Sequence, residues 1–442
     1  MDTKLLFAAA KEAGLNEIEV YRLKTVSSNI SVFNHEVDDM KSSSSDVCYI
    51  RGSYNGHLGA VYLENNNMSV EEIISIIKEN ASLININEPY FIYQGDESYP
   101  ELKPFEGDFA LHTMAEKTEL CLELANLIEA EHEWVDSCPS ASYSESYTEV
   151  SIVNSSGLNV SKKNGHAVLV AQAVVKHNGE VKSGYEVQLA KKFADFDTKA
   201  LASKVVSDTV SEIGGEPLPS GNYRVVVKNS VIKSLLGAFS NVFSAEALIR
   251  KMSFLDGKLD TKVFGDNITI VDDPLCELAP DQDSFDDEGV AAKKKVVVEN
   301  GVFKTFLHNL KTAKMLGTET TGNGYKAGVS AGVGVSPSNF YIEPGNHSFD
   351  ELVAECGNGF LLTNVAGLHA GINVINGDFS LQSSGFEIKD GKVGKAVNLI
   401  VTSGNIKTLL NEVELIGSDL EFKTSSIGAP SLLVKNISIS GK

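Results

Sequence analysis

The chain has 442 residues, 42% of them hydrophobic, too long for one ordinary core and apolar enough to fill two. Lys and Arg total 38 against 59 Asp and Glu, a formal net charge of −21, and no Lys/Arg cluster with interleaved aromatics offsets it. Such a surface repels a polyanion and argues against direct nucleic-acid binding. The five cysteines (Cys48, Cys121, Cys138, Cys276, Cys356) are an odd set without a C-x-x-C pair. That fits reduced thiols in a cytoplasm rather than a disulfide framework. Leu5 to Ala10 is apolar, but Lys11 and Glu12 close the run too early for a signal peptide, and no stretch reaches the length of a membrane span. The expectation is a soluble cytoplasmic protein.

Leu5 to Ala13 reads as an opening helix. Glu17–Phe33 and Asp46–Tyr62 alternate like strands, with a turn at Asn55-Gly56. Ser69 is the expected N-cap of a helix, with Glu72 completing a capping box and Ile73, Ile74, Ile76 and Ile77 at helical spacing. A second amphipathic helix is expected from Phe109 to His132. Val150–Val187 returns to strands with turns at Ser156-Gly157, Asn164-Gly165 and Asn178-Gly179, and a further helix runs from Thr198 to Ile213. The stretch Gly214–Tyr223 holds two prolines and three glycines without a period. It separates an N-terminal αβ domain, residues 1–215, from a largely antiparallel, glycine-rich β domain, residues 216–442. Arg224–Val227 is a short strand in the second domain, followed by a helix reaching Lys251. The class is α+β.

The most distinctive string is Gly367–Gly391. Ile372, Val374, Phe379, Leu381, Phe386 and Ile388 recur at period two between glycines and turn pairs, the pattern of short antiparallel strands in a meander. Gly328-Val329-Ser330-Ala331-Gly332 matches G-x-S-x-G, but Gly334 and Pro337 follow where the nucleophile elbow needs a helix. The acidic run Asp281–Gly289 offers Phe285 and Asp286 where an EF-hand loop needs a ligand and a glycine, so a solvated turn is expected there. The nine histidines contain no pair at helical ligand spacing. No complete catalytic constellation stands in the sequence.

Several pieces in order resemble the TldD/PmbA family, long labelled modulators of DNA gyrase, and its PmbA (TldE) branch in particular. They include Met252-Ser253-Phe254-Leu255, Ile268–Pro274, Asp286-Asp287-Glu288-Gly289, Val298–Val302, Thr321-Gly322-Asn323, Gly377-Asp378-Phe379-Ser380, Gly385–Ile388 and Gly428-Ala429-Pro430-Ser431. The resemblance spans nearly the whole chain. It implies a two-domain subunit that joins a related subunit in a cytoplasmic metalloprotease acting on unfolded peptides. The TldD subunit of such a pair carries the zinc, on an H-E-x-x-x-H helix and a C-terminal cysteine. Zinc there lowers the pKa of a bound water, and the glutamate acts as general base.

In this chain the two histidine positions fall on Gly237 and Val242, and the glutamate position on Ala238. Val242 continues an apolar stripe with Ile232, Leu235 and Phe239, Glu246 stands alone farther on, and Thr424–Lys442 contains no cysteine. The resemblance therefore implies no catalytic residue and no metal ligand in this chain, with zinc in a partner. Two roles follow. One is a non-catalytic subunit paired with a TldD-like metalloprotease subunit, helping to form the substrate chamber. The other is a free-standing homo-oligomer that binds or scaffolds without peptidase activity. In the first role an edge strand would hold peptide by main-chain hydrogen bonds, and Gly377, Asp378 and Phe379 are the expected substrate-binding surface. The gyrase label then implies at most an indirect effect.

Overall fold

The structure, a computed structural model, describes residues 2–64, 68–84 and 90–442. Asp2 caps α1 (Thr3–Glu12) by accepting from the Lys4 and Leu5 N–H groups. β1 (Ile18–Phe33), β2 (Glu36–Tyr54) and β3 (His57–Leu63) form an antiparallel meander. β2 starts well before the expected Asp46. The run Ser42–Ser45 has no strand pattern of its own, yet it pairs residue by residue with Thr25–Ser28 of β1, and the partner strand overrides weak propensity. α2 (Val70–Leu83) carries the expected Ser69–Glu72 capping box, and α3 (Met114–Glu131) an equivalent one at Thr113 and Glu116.

β4 (Val135–Asn154), β5 (Asn159–His177) and β6 (Glu180–Ala190) complete a six-stranded sheet of order β3-β2-β1-β4-β5-β6. Turns occur at Ser156-Gly157 and Asn178-Gly179, but Asn164-Gly165 lies within β5. A Cβ on Gly165 would lie 2.7 Å from the Phe105 ring, so this glycine makes room for an aromatic side chain instead of turning the chain. α4 (Thr198–Ser211) follows. The four helices share one face of the sheet. Ile18, Val20 and Ile50 pack with Ile73 and Ile77, while Tyr143, Ala167 and Leu169 pack with Leu124, Ile128, Leu201 and Val205.

The second part runs β7 (Gly221–Val227), α5 (Asn229–Phe239), α6 (Ala245–Ile249), β8 (Ile270–Asp272), β9 (Lys295–Glu299) and β10 (Val302–Phe303). Next come α7 (Leu310–Leu316), β11 (Gly324–Lys326), β12 (Val333–Val335), β13 (Phe340–Ile342) and α8 (Phe349–Cys356). Then follow β14 (Gly359–Ala366), α9 (Leu368–Gly371), β15 (Ile372–Asn373), β16 (Asp378–Lys389) and β17 (Lys392–Asn405). The chain closes with α10 (Ile406–Asn411), β18 (Val413–Ile416), β19 (Ile427–Gly428) and β20 (Leu432–Ser440). Most pairings are antiparallel; among the described strands β7 with β14 and β13 with β19 run parallel. The class is α+β with antiparallel sheets.

Strands β14, β7, β20, β17 and β16 follow one another, and β16 pairs back onto β14 to close the ring. Gly367–Gly391 is therefore not a row of short strands. It holds the short α9, the two-residue β15 and the long bulged β16. Closure depends on Gly385, where a Cβ would meet the Leu361 carbonyl oxygen at 1.9 Å. Gly385→Val is expected to lower stability by about 1–3 kcal/mol through forced strand separation, read as a lower midpoint in urea. An unchanged midpoint would show that the closure yields without cost.

Candidate functional site

α5 does not continue to Lys251. It stops at Phe239, passes through a 3₁₀ turn at Ser240–Phe243, and α6 starts afresh with Ser244 as cap. The Ser240 hydroxyl donates to the Gly237 carbonyl and the Ser244 hydroxyl accepts from the Glu246 N–H, so short polar side chains compete with the helix for its backbone groups. Ile232, Leu235, Phe239 and Val242 are each 2% exposed or less, within the main core of the second part.

Gly237 lies against β19, where a Cβ on it would stand 3.6 Å from Ile427 Cγ1. The helix and the C-terminal segment that the resemblance assigns to zinc thus lie side by side and meet carbon on carbon. Gly237, Ala238 and Val242 supply no donor atom, so zinc does not fit this helix. Among the described residues no three His, Cys, Asp or Glu side chains stand close enough to hold a metal ion. Glu246 belongs to α6, beyond the break.

The main concentration of buried charge is elsewhere, where the second part packs on the sheet face opposite the helices. Asp286, Asp287 and Glu288 are buried, not solvated as expected for the acidic run. Asp286 accepts from the Glu288 and Val290 N–H groups at 3.0 Å through Oδ1 and from Gly324 N–H at 2.8 Å through Oδ2. Asp287 accepts from Tyr21 Oη and from Lys326 N–H, both at 2.9 Å. Lys162 Nζ donates to the Phe285 carbonyl and pairs with Asp283, both at 2.7 Å. Tyr99 Oη donates to the Gly289 carbonyl at 2.8 Å. Backbone and side-chain donors here do the work of water, which is why a run of acids can be inside.

Lys326 Nζ sits 4.3 Å from the Tyr21 ring centroid and 4.4 Å from that of Tyr49. Burial, and secondarily Arg51, push its pKa down to about 8. Burial and then the Asp287 charge raise the Tyr21 hydroxyl well above its ordinary range. Arg51 donates to Glu19 at 2.7 Å and leaves its Nη2 buried without a partner. Asp286–Gly289 is the main sequence trace of this junction, with a less specific one in Tyr49-Ile50-Arg51-Gly52, which shares in the family resemblance. The partners Tyr21 and Lys162 carried no signal.

Gly377, Asp378 and Phe379 lie between two strands. Asp378 and Phe379 pair with Asn373 and Ile372 of β15 on one side and with Asn405 and Gly404 of β17 on the other. The free edge needed for main-chain capture of a peptide is absent at this segment. Phe379 is buried in the main core, and Asp378 bonds Asn376 and Asn405. Ser330 is exposed in the hairpin loop between β11 and β12, with no helix after it. His308 is buried with Nδ1 unpartnered, and burial lowers its pKa to about 4.

The family model for the PmbA/TldA metallopeptidase C-terminal domain matches residues 220–441, that for the central domain residues 108–212, and that for domain 1 residues 18–83. An Archaeoglobus fulgidus protein named a metalloprotease is 38% identical over 221 residues, 49% of this chain and 50% of that one. A Buchnera aphidicola PmbA homologue, also named a metalloprotease, is 23% identical over 96% of this chain and 93% of its own. The crystal structure of a Thermotoga maritima protein, described as a candidate modulator of a DNA gyrase, has a TM-score of 0.92 at 30% identity and covers 99% of both chains. TldE from Thermococcus kodakarensis has a TM-score of 0.91 at 23% identity, covering 99% of this chain and 100% of that one. Fold and matched segments together define a chain of metallopeptidase-family architecture. The chain belongs to the PmbA/TldD family. Among the described residues no helix is long and apolar enough to cross a membrane.

Proposed function

We propose that this chain is the non-catalytic, PmbA/TldE-like subunit of a cytoplasmic metalloprotease complex. A TldD-like partner holds the zinc and the general base, and the complex acts on unfolded peptides. The observation that carries this reading is the replacement of the ligand helix by core, with Gly237 against Ile427 and Val242 buried. These positions offer zinc no side-chain ligand, and among the described residues no three His, Cys, Asp or Glu side chains stand close enough to replace them. The formal charge of −21 supports the absence of direct nucleic-acid contact.

Metal analysis of the purified chain is expected to find no stoichiometric zinc, and the chain alone is expected to leave unstructured peptides intact. Co-purification from the native host is expected to recover, in equal amount, a related subunit with an H-E-x-x-x-H helix. Chelator-sensitive cleavage by the rigorously purified chain would overturn the reading. Recovery of self-assembled chain alone would favour a homo-oligomeric scaffold.

A further inference from the structure

The sheet face opposite the helices is covered at one end only. Near the strand ends carrying Tyr21, Tyr49, Ile152 and Lys162 it is closed by the segment around Phe285 and by Lys326. Past Thr25 of β1 and its partner Thr148 of β4, no residue of this face joins a hydrophobic core among the described residues. A groove of about 420 Å³ opens there, lined by Ser27, Asn29, Ser43, Ser144, Ser146 and Val168. Register places these side by side, with Asn29 opposite Ser144, Ser27 opposite Ser146 and Ser144 opposite Val168. Val170 continues the groove on β5, and Val187 stands opposite it on β6, both half-buried.

We propose that this groove docks an extended, unfolded polypeptide segment of neutral or basic composition. The substrate class rests on the function proposed above, and the location rests on the face itself. Three features select this occupant. The site is a groove and not a flat pad, of a size that takes a few residues of chain and not the surface of a folded partner. Serine hydroxyls on β4 recur at every second residue, Ser140 to Ser146, which is the repeat of an extended peptide. A hydroxyl both donates and accepts, so it serves main-chain groups whatever the side chains are. The valines beside them shelter apolar side chains.

Charge narrows the choice. The two basic groups lining the groove are each engaged by an acid, Lys41 by Asp39 at 2.9 Å and His166 by Asp281 at 3.3 Å. An acidic peptide therefore finds no free cation in the groove and meets the field of a strongly acidic protein, whereas a basic one is attracted.

The test measures fluorescence anisotropy of short unstructured probe peptides, one rich in Val and Lys and one rich in Val and Glu, with the purified full chain. The Lys peptide is expected to bind about tenfold more tightly than the Glu peptide, and the double substitution Ser144→Trp with Val168→Trp to weaken it by about tenfold or more. Ser146→Lys, which leaves the groove open, is expected to shift preference toward the Glu peptide, so a misfolded tryptophan variant does not end the test. Equal binding by all variants overturns the proposal. So does a tryptophan variant that changes only the sedimentation of the chain, because the face would then join two copies. Loss of the groove leaves co-purification with a metal-bearing subunit untouched, and cleavage by the isolated chain would leave groove binding untouched, so the two readings fail separately.

Discussion

Asp272→Ala is expected to lower stability by about 3–5 kcal/mol, the scale on which breaking a buried ion pair exceeds its net worth. Asp272 is fully buried at the end of β8. One oxygen pairs with Lys295 Nζ at 2.7 Å and accepts from Asn323 Nδ2 at 2.8 Å, and the other accepts from Ser338 N–H at 2.6 Å. Lys295 itself is nearly buried, and its remaining bond goes to the Thr321 carbonyl at 3.1 Å. Truncation leaves a cation, an amide and a backbone N–H without their acceptor in a place water does not reach. Those groups fix the two ends of the segment that carries the β11–β12 hairpin, and Lys326 of that hairpin packs on Tyr21 and Tyr49 of the sheet. The loss is therefore expected in two readouts: a lower urea midpoint, and faster proteolysis near Ser330. Asp272→Leu combined with Lys295→Met is expected to recover part of the stability, since the orphaned charge is gone. A loss below about 1 kcal/mol for the alanine variant would mean that the pair is compensated elsewhere.

What the sequence made legible was local. The capping box at Ser69 and Glu72 needs only residues three apart, and it stands where the spacing places it. Asn178-Gly179 turns because Asn178 and Gly179 both adopt positive φ. Asn164-Gly165 has the same letters and does not turn, because Phe105, distant in sequence, occupies the space beside Gly165. The helix expected to reach Lys251 breaks at Ser240 and Ser244, residues that tolerate a helix but bond more readily to its ends. At the ligand positions, the apolar stripe of Ile232, Leu235, Phe239 and Val242 was readable from spacing, and all four are core. The acidic run is buried at Asp286–Glu288, against the solvated turn its composition suggests, for a physical reason. Its donors are backbone N–H groups and a tyrosine hydroxyl from another strand; Tyr21 and Asp287 lie 266 positions apart. No local pattern announces such a partner. The open groove was equally hidden, since serines and valines in alternation look like any half-exposed strand until register lines them up.

Glu288 is expected to contribute stability that is lost as pH rises from about 5 to about 8, opposite to the usual behaviour of paired carboxylates. Burial raises its pKa to about 8, with the negative charge of Asp286 adding to the effect and Arg51 opposing it. Asp286 and Glu288 cannot both ionise cheaply at this separation and burial. Asp286 has three backbone N–H donors, whereas Glu288 has one, from Leu310 at 2.7 Å, so the shared proton resides on Glu288. The folded state then holds a proton that the unfolded chain releases near the ordinary glutamate value. Its contribution is complete below that value and is lost as pH rises through the folded value. The neighbouring Asp286 is raised in the same sense, to about 7. His308, lowered to about 4 by burial, makes stability rise between about pH 4 and 6.5, and Lys326, lowered to about 8, acts above that pH. The difference between the parent and a Glu288 variant therefore isolates the Glu288 part. At about 1.4 kcal/mol per pKa unit, the expected loss between pH 5 and pH 8 is about 2–4 kcal/mol. Glu288→Gln keeps an acceptor for Leu310 and cannot ionise. It is expected to match the parent near pH 5 and to exceed it by about 2–4 kcal/mol at pH 8. Asp286→Asn is expected to be destabilised at every pH, because one of its oxygens, along with the acceptor for Gly324 or for Glu288 and Val290, becomes an NH₂. Urea unfolding at several pH values checks both. A Glu288→Gln variant with the parent's full pH slope would place the proton elsewhere in the junction.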